Sequence, residues 1–228
     1  MYFDAHIHLM NLENLKTAEE KGVSAFVLNA TTPNEWADVL QISLKEKTIY
    51  PAIGIHPWFV DNLQNDWTNL MNNYLQKYPF LMIGEIGLDF LRQNKNMQLF
   101  VFKTMLEFAK KYHRPVHIHC IKAWNEMLLL LKEYPDLKIL FHHFSASKEI
   151  VNQLLKFDTY FSISNSKNFK HIPQERLLVE TDSPSLNKTP SDIIKLVESL
   201  NIDPKILWNN FQNFISPFDL YLKQGQSK

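Results

Sequence analysis

The 228-residue sequence predicts an α/β fold, most simply a single-domain (β/α)8 TIM barrel over residues 1–228. Two observations predict this fold. Eight short apolar segments with strand character alternate with segments of helical periodicity, and no linker or change in composition interrupts the alternation. The segment 165–176, before the eighth strand, is too short for a regular helix, so we expect the barrel to be slightly irregular near strand seven. An open, doubly wound sheet is the alternative arrangement.

Strand and helix candidates follow one another along the whole chain. The predicted strands are 3–8, 23–28, 49–55, 81–86, 115–119, 138–142, 159–163 and 177–180. The predicted helices are 11–21, 34–47, 67–78, 95–112, 124–134, 148–156, 190–200 and 204–215. The helix at 95–112 has the clearest periodicity, because Leu99, Phe102 and Leu106 recur on one face. Residues 224–228 are expected to form a frayed tail.

The composition is that of a globular protein without a strong overall charge. Hydrophobic residues make up 45% of the chain, and 24 basic residues balance 24 acidic ones, so an anionic substrate has to be held by local groups. The single cysteine, Cys120, excludes an internal disulfide and favours a reducing compartment, so a cytoplasmic location is expected. The sequence has no apolar run of 18 residues and no signal-peptide pattern, and it indicates neither a membrane association nor an obligate protein partner.

Histidines and carboxylates are concentrated at the carboxyl ends of the predicted strands, where a barrel places its functional loops. Seven of the nine histidines lie at such ends, and His113 and His171 are the exceptions. In the first strand Asp4, His6 and His8 share one face, because alternate side chains of a strand point the same way. Buried imidazoles without partners are costly, whereas a metal centre with one or two divalent ions uses them as ligands. A surface strand with two unrelated histidines is the alternative.

Six motifs occur in one order between residue 3 and about residue 184, and together they resemble the TatD-type metal-dependent deoxyribonucleases of the amidohydrolase superfamily. The motifs are Asp4-x-His6-x-His8, Gly54-Ile55-His56-Pro57, Gly84-Glu85-Ile86-Gly87-Leu88-Asp89-Phe90, Pro115-Val116-His117-Ile118-His119, His142-His143-Phe144-Ser145 and Leu177-Leu178-Val179-Glu180-Thr181-Asp182-Ser183-Pro184. The resemblance implies a TIM barrel, a centre of one or two metal ions, and hydrolysis of phosphodiester bonds, often as an exonuclease.

The resemblance also implies a role for each residue of the site. The first ion would be held by His6, His8 and Glu85, and the second by His119 and His142, with Glu85 reaching both. Asp182 would coordinate metal and take the proton from the attacking water, which makes Asp182 and Glu85 the catalytic pair. Strand alternation predicts that only one of His142 and His143 points inward. The donor set accepts zinc, manganese or magnesium (Zn, Mn or Mg).

Three residues are candidates for binding the substrate: His56, Arg92 and Lys122. His56 would bind a phosphate or a leaving oxygen, and its alternative role is a hydrogen bond to the loop. Relatives commonly carry a basic residue two positions after the strand-five histidine, where this chain has Ile121. Their loop after the Asp182 motif is also usually longer than residues 185–190 here. These departures limit what the resemblance implies about the substrate.

Several neighbours of the site have two possible roles. Asp4 either orients a ligand histidine or caps a turn, and Glu180 either accepts a hydrogen bond from a ligand imidazole or forms an interior ion pair. His117 is expected to be a hydrogen-bonded interior residue, and Cys120 to pack away from the ligands. Trp58 and the adjacent Phe59 either stack on a nucleobase or pack the loop.

The sequence therefore predicts a metal-dependent hydrolase of phosphodiester bonds, a TatD-like deoxyribonuclease using a metal-bound hydroxide. Its expected partner is DNA, cut as an exonuclease at single-stranded ends, or a small phosphodiester. An amidohydrolase-type deacylase or esterase is one alternative, because the same chemistry attacks a carbonyl carbon. A noncatalytic barrel that retains metal is the other.

Overall fold

A computed structural model describes residues 1–8, 12–167 and 169–216. One parallel sheet contains eight strands in chain order. The strands are β1 (Tyr2–Ile7), β2 (Val23–Asn29), β3 (Ile49–Ile53), β4 (Met82–Asp89), β5 (Val116–Ile121), β6 (Lys138–Phe141), β7 (Asp158–Ile163) and β8 (Leu177–Val179). A parallel bridge between Ile7 and Ser183 joins the first strand to the segment after β8, so the sheet closes on itself. The predicted barrel is confirmed, and the open sheet is excluded.

The eight predicted helices are also present, with ends that differ by a few residues. They are α1 (Leu12–Glu20), α2 (Trp36–Lys45), α3 (Trp67–Lys77), α4 (Lys95–Tyr112), α5 (Trp124–Leu131), α6 (Lys148–Leu154), α7 (Asp192–Leu200) and α8 (Pro204–Ile215). Within the described segments between β7 and β8 there is no α-helix, only a 3-10 turn at Gln174–Arg176, which confirms the predicted irregularity. The expected tail at 224–228 lies outside the described residues. No described helix has the length and apolarity needed to cross a bilayer.

Strand β1 has one apolar face and one polar face, as its alternation predicts. Phe3, on the outer face, is buried, and its ring stacks on Phe211 of α8 at 4.5 Å between centroids. His6 points into the barrel and is fully buried. Because helices cover the outer face, the polar side chains of this strand are directed to the barrel interior and its carboxyl end.

Asp4 joins the first and last strands of the barrel below the site. Its Oδ1 accepts hydrogen bonds from the backbone N–H of Thr181 at 2.9 Å and of His6 at 3.4 Å, and its Oδ2 accepts from the Thr181 hydroxyl at 2.5 Å. Burial raises the pKa of Asp4 to about 8. Of the two roles considered for Asp4, these contacts match the backbone-capping one, because none of them reaches a histidine ring.

Strand β4 approaches β5 closely at the level of the site. Gly87 has φ +147°, and a Cβ atom at this position would lie 1.9 Å from the carbonyl oxygen of His119. Any side chain at residue 87 would therefore push β5 away, and only glycine adopts this φ readily. The conformation lets β4 continue to Asp89, three residues beyond the predicted end at Ile86.

Candidate metal centre

Glu85, on β4, lies at the centre of the site and is buried. Its two carboxylate oxygens face two different groups of histidines, one from β1 and one from β5 and the end of β6. Ligand atoms that converge from strands so distant in sequence meet only because the barrel closes. All six predicted ligands are thereby brought together: His6, His8, Glu85, His119, His142 and Asp182.

The first group forms a nearly equilateral triangle of donor atoms. The Nε2 atoms of His6 and His8 are 3.3 Å apart, and each lies 3.3 Å from Oε2 of Glu85. Asp182 adds a fourth donor, with Oδ1 at 3.3 Å from His8 Nε2. Ligands held at about 2.0–2.1 Å around a tetrahedral ion are roughly 3.3 Å apart, so the three atoms of the triangle match the spacing of a zinc-like site, and Asp182 matches it in its distance to His8.

The second group is built around the other oxygen of Glu85. Oε1 lies 3.1 Å from His119 Nδ1 and 2.7 Å from His142 Nε2, and these two nitrogens are 3.3 Å apart. Glu85 can therefore hold one ion with each oxygen. The two groups share this carboxylate, which is the arrangement expected of a bridging ligand in a two-ion centre.

A hydrogen bond on the far side of the ring sets which nitrogen of His8 faces the centre. His8 Nδ1 is 3.1 Å from the carbonyl oxygen of Asn29, and a carbonyl only accepts, so His8 donates there and presents the lone pair of Nε2 to the site. His142 Nδ1 lies 3.5 Å from Oε1 of Glu180. Glu180 thus faces a candidate ligand imidazole, and it also accepts from the backbone N–H of His143 at 2.7 Å and from the Ser162 hydroxyl.

His56 differs from the other histidines at the centre. Its Nε2 lies 3.1 Å from Oε1 of Glu85, close enough for a ligand. Its Nδ1, however, accepts a hydrogen bond from the backbone N–H of Trp58 at 3.2 Å, so the neutral ring carries its proton on Nε2. His56 is therefore a hydrogen-bond donor toward the centre, which separates it from the metal-ligating histidines.

Burial and mutual charge shift the pKa values of these groups in opposite directions. Burial lowers the pKa of His6 to about 4, so this imidazole is neutral and available as a ligand at neutral pH. For Glu85, burial opposes ionisation but is outweighed by His142 and His56, which hold its pKa well below the usual range. For His142, burial is likewise outweighed by Glu85 and Glu180, which raise its pKa.

The residues of the centre fit a divalent cation. Nitrogen and oxygen acceptor atoms lie 2.7–3.3 Å from one another in both groups. Lone pairs this close repel unless a proton or a cation lies between them, and burial removes the water that would otherwise screen them. Zinc and manganese both accept imidazole and carboxylate ligands. Magnesium is less suited to a site in which imidazole dominates.

A cavity of about 520 Å³ opens from the centre to the surface. Trp58, which is 49% exposed, and the exposed Phe59 form part of its mouth. The indole N–H of Trp58 donates to Oδ2 of Asp89 at 2.7 Å, and the guanidinium of Arg92 lies 4.2 Å from the centre of the indole ring. The stack places the exposed Arg92 beside Trp58 of the cavity wall, and Arg92 itself is not among the described residues that line the cavity.

Lys122 lies apart from this cavity. It is exposed just beyond the end of β5, with φ +54°, and it is absent from the residues that line the cavity in the described parts of the chain. The neighbouring residues Cys120 and Ile121 do line it. Cys120 also packs against the core, and burial raises the pKa of its thiol.

Two predictions about histidines are wrong. Both His142 and His143 border the cavity, because β6 ends at Phe141 and His143 has φ +44°, so strand alternation no longer applies. His143 Nδ1 lies 3.2 Å from the Ser164 hydroxyl and 3.9 Å from Oδ2 of Asp182. His117 is fully buried as expected, but neither ring nitrogen has a hydrogen-bond partner among the described residues.

The fold and the centre together define the chain as a barrel hydrolase that depends on metal. Residues 3–206 match the family described as TatD related DNase, so the chain belongs to the TatD family of metal-dependent hydrolases. The chain is 27% identical over 212 residues to the uncharacterized metal-dependent hydrolase YabD of Bacillus subtilis, covering 83% of each protein. It is 28% identical over 222 residues to the putative deoxyribonuclease tatdn3 of Danio rerio, covering 81% of this chain and 80% of that protein.

A solved structure shows the same fold. The crystal structure of YJJV, a TatD homologue from Escherichia coli K12, matches with a TM-score of 0.86 and 21% sequence identity, over 93% of this chain and 97% of that chain.

Proposed function

We propose that the chain is a deoxyribonuclease that hydrolyses phosphodiester bonds at single-stranded DNA ends. The main support for the proposal is the position of Glu85. Each of its two oxygens completes a separate group of donor atoms. Two adjacent cation sites match the chemistry of phosphodiester hydrolysis, in which charge develops on both the attacking and the leaving oxygen. Putative deoxyribonuclease activity is also named for the Danio rerio relative.

His6, His8, Glu85 and Asp182 would hold one ion, and Glu85, His119 and His142 the other. When bound, zinc, manganese or magnesium would lower the pKa of water and offset charge on the phosphoryl oxygens. The imidazole-rich set favours zinc, and the two carboxylates are the ligands that manganese or magnesium would use.

Asp182 is the proposed base. It lies at the inner end of the cavity, next to His8 and the ring of His143. Burial opposes its ionisation but is outweighed by the neighbouring imidazoles of His8 and His6, which lower its pKa, so the carboxylate is ionised at neutral pH. An ionised carboxylate beside the attacking water accepts its proton, and this is the role that the proposal gives to Asp182.

His56 and Arg92 are the proposed substrate contacts. The proton on His56 Nε2 can be donated to a nonbridging phosphate oxygen or to the leaving oxygen, because the ring already faces the centre. Arg92 is held at the mouth by its stack on Trp58, where a second phosphate would pass. Lys122, exposed outside the cavity, would contact only the part of a strand that extends past the mouth.

The exposed aromatic residues at the mouth support a single-stranded substrate. Trp58 and Phe59 present ring surface beside the phosphate path, and an unpaired base can stack on such a surface whereas a base inside a duplex cannot. Glu85 in the bridging position also favours phosphodiester hydrolysis over the carbonyl chemistry of superfamily members that use a modified lysine there.

The test compares end-labelled single-stranded DNA, circular single-stranded DNA, bis(p-nitrophenyl) phosphate and a panel of carboxylic esters, with added Mn²⁺ or Zn²⁺ and with chelator. We expect metal-dependent shortening of the linear strand and turnover of the phosphodiester, with the circle intact. Cleavage of the circle would refute the exonuclease assignment. Turnover of esters without turnover of phosphodiesters would replace the proposal with a deacylase or esterase, and metal binding without any turnover would indicate the noncatalytic barrel.

A further inference from the structure

A second groove begins beside the metal cavity and runs along the surface away from it. It has a volume of about 1210 Å³ and lies between the loop after β6 and the segment after β7. His143 lines both the groove and the metal cavity, so the two adjoin at this residue. Ser164, bonded to the ring of His143, also lines the groove at this junction. A molecule whose end lies in the metal cavity can therefore continue into the groove.

The groove is locally cationic in a chain whose formal net charge is zero. Lys148, Lys167 and Lys170 line it and are exposed. No carboxylate belongs to its lining in the part of the chain that the structure describes. Glu149 is exposed next to Lys148, outside the lining, and reduces the positive charge at that end only.

The irregular connection between β7 and β8 creates this surface. Because no α-helix is described there, backbone and short polar side chains are left to form one wall of the groove. The ring of His171 donates through Nε2 to the carbonyl oxygen of Ala146 at 3.0 Å, which ties this wall to the opposite one. At the end near the metal centre, the ammonium of Lys188 donates to the carbonyl oxygen of Ser164, which adds a further positive charge.

We propose that this groove binds the phosphates of a single-stranded nucleic acid whose terminal nucleotides lie in the metal cavity. The proposal rests on the proposed phosphodiesterase function and adds the surface that would hold the part of the strand away from the cleaved end. Lysines spaced along a groove neutralise successive phosphates, and the hydroxyl and amide groups among them can donate to phosphate oxygens without reading the sequence. DNA and RNA share this phosphate chemistry.

The test uses the double variant Lys167→Gln and Lys170→Gln in the full-length protein. The matched control is Lys45→Gln with Lys47→Gln, which makes the same charge change at exposed positions near the amino end of β3, at the opposite end of the barrel. Binding of a labelled phosphorothioate oligonucleotide, which resists hydrolysis, is measured by fluorescence anisotropy over a range of salt concentrations. DNA, RNA and duplex forms are compared.

Loss of two phosphate contacts on a single strand should reduce the slope of log K against log salt by about 1.4, since each contact contributes about 0.7. If the variant and the wild-type protein bind equally at 1 M salt, this slope difference corresponds to roughly 25-fold weaker binding by the variant at 0.1 M salt. The Lys167→Gln and Lys170→Gln variant should lose affinity equally for DNA and RNA single strands. The control variant should keep the wild-type affinity for both. The ratio of kcat/KM for the cleavable oligonucleotide to that for bis(p-nitrophenyl) phosphate should fall by a similar factor.

Two results would overturn the groove assignment: single-strand binding equal to that of the control variant, or a loss confined to duplex DNA. Either result leaves the phosphodiesterase proposal intact if the wild-type protein still hydrolyses the small diester. Conversely, lysine-dependent strand binding by a protein that hydrolyses neither substrate would support the groove while refuting the phosphodiesterase.

Discussion

Replacing Asp4 by Asn tests whether the buried carboxyl group that joins β1 to the end of β8 is protonated. Burial raises the pKa of Asp4 to about 8 from an ordinary value of 3.8. The folded protein therefore keeps this proton over a pH range in which the unfolded chain has lost it. An asparagine has nearly the shape of the protonated acid: its amide oxygen can still accept from the Thr181 N–H, and its NH2 group, like the acid O–H, can donate to the Thr181 hydroxyl, which then accepts instead of donating.

The sign and size of the effect follow from proton linkage. A raised carboxyl pKa means that the folded state binds more protons than the unfolded state, so this group's contribution to stability is complete below pH 3.8 and is lost as the pH rises to about 8. The loss is about 1.4 kcal/mol per pH unit within that range. The Asn variant has no proton to lose. The difference in free energy of unfolding between the variant and the wild-type protein should therefore shift in favour of the variant by about 2.7 kcal/mol from pH 5 to pH 7.

Urea unfolding of metal-free protein at pH 5, 6 and 7 measures this difference. Asp136→Asn is the control, because Asp136 is exposed, and its difference from wild type should stay constant with pH. The reasoning is refuted if the free-energy difference between Asp4→Asn and wild type is the same at all three pH values, or if it shrinks as the pH rises.

Three further predictions concern the centre itself. Asp182→Asn should lower kcat for bis(p-nitrophenyl) phosphate by about 10²–10⁴ while leaving the melting temperature of metal-free protein within a few degrees, and a rate comparable to wild type would end its assignment as the base. Glu85→Gln should reduce bound metal at both sites, as measured by elemental analysis after dialysis; one full equivalent retained would contradict the bridging role. Glu85 and Glu180 outweigh burial and raise the pKa of His142, so a cation must displace the proton of His142 in order to bind. The metal affinity measured by calorimetry should therefore fall about tenfold per pH unit for each proton displaced as the solution is acidified. An affinity unchanged between pH 6 and pH 8 would refute this expectation.

The fold was predictable because strand and helix periods differ and the chain follows them without interruption. Helix α4 covers Lys95–Tyr112, the predicted range, because both residues that flank it, Asn94 and His113, leave the helical region with positive φ. Strand β4 was predicted three residues too short because Ile86-Gly87 resembles a strand end. The reason for its extension, the close approach of Gly87 to His119, depends on a neighbouring strand and is invisible in the local sequence.

The convergence of the six candidate ligands was predictable for a related reason. Strand ends are located by periodicity, and a parallel barrel brings all carboxyl ends to one face. The position of His143 was not predicted correctly, because side-chain alternation applies only while the chain stays extended. The strand ends at Phe141, one residue before the predicted end at residue 142. The cationic groove was not predicted either, because Lys148 begins helix α6 while the lysines at 167 and 170 follow β7, and these segments meet only in the folded barrel.

The chemical roles of His8 and His56 are set by the backbone group behind each ring rather than by residue type or by distance to the centre. His8 and His56 both direct Nε2 at Glu85, at 3.3 and 3.1 Å. Behind His8 is a carbonyl oxygen, which takes the proton on Nδ1 and leaves Nε2 as a lone pair for a cation. Behind His56 is a backbone N–H, which donates to Nδ1. The ring proton is therefore on Nε2, where it can be donated to an anion. The carbonyl belongs to Asn29, the last residue of β2, and the N–H belongs to Trp58 in the segment after β3, so the backbone at these two strand ends determines which histidine is a ligand and which is a donor.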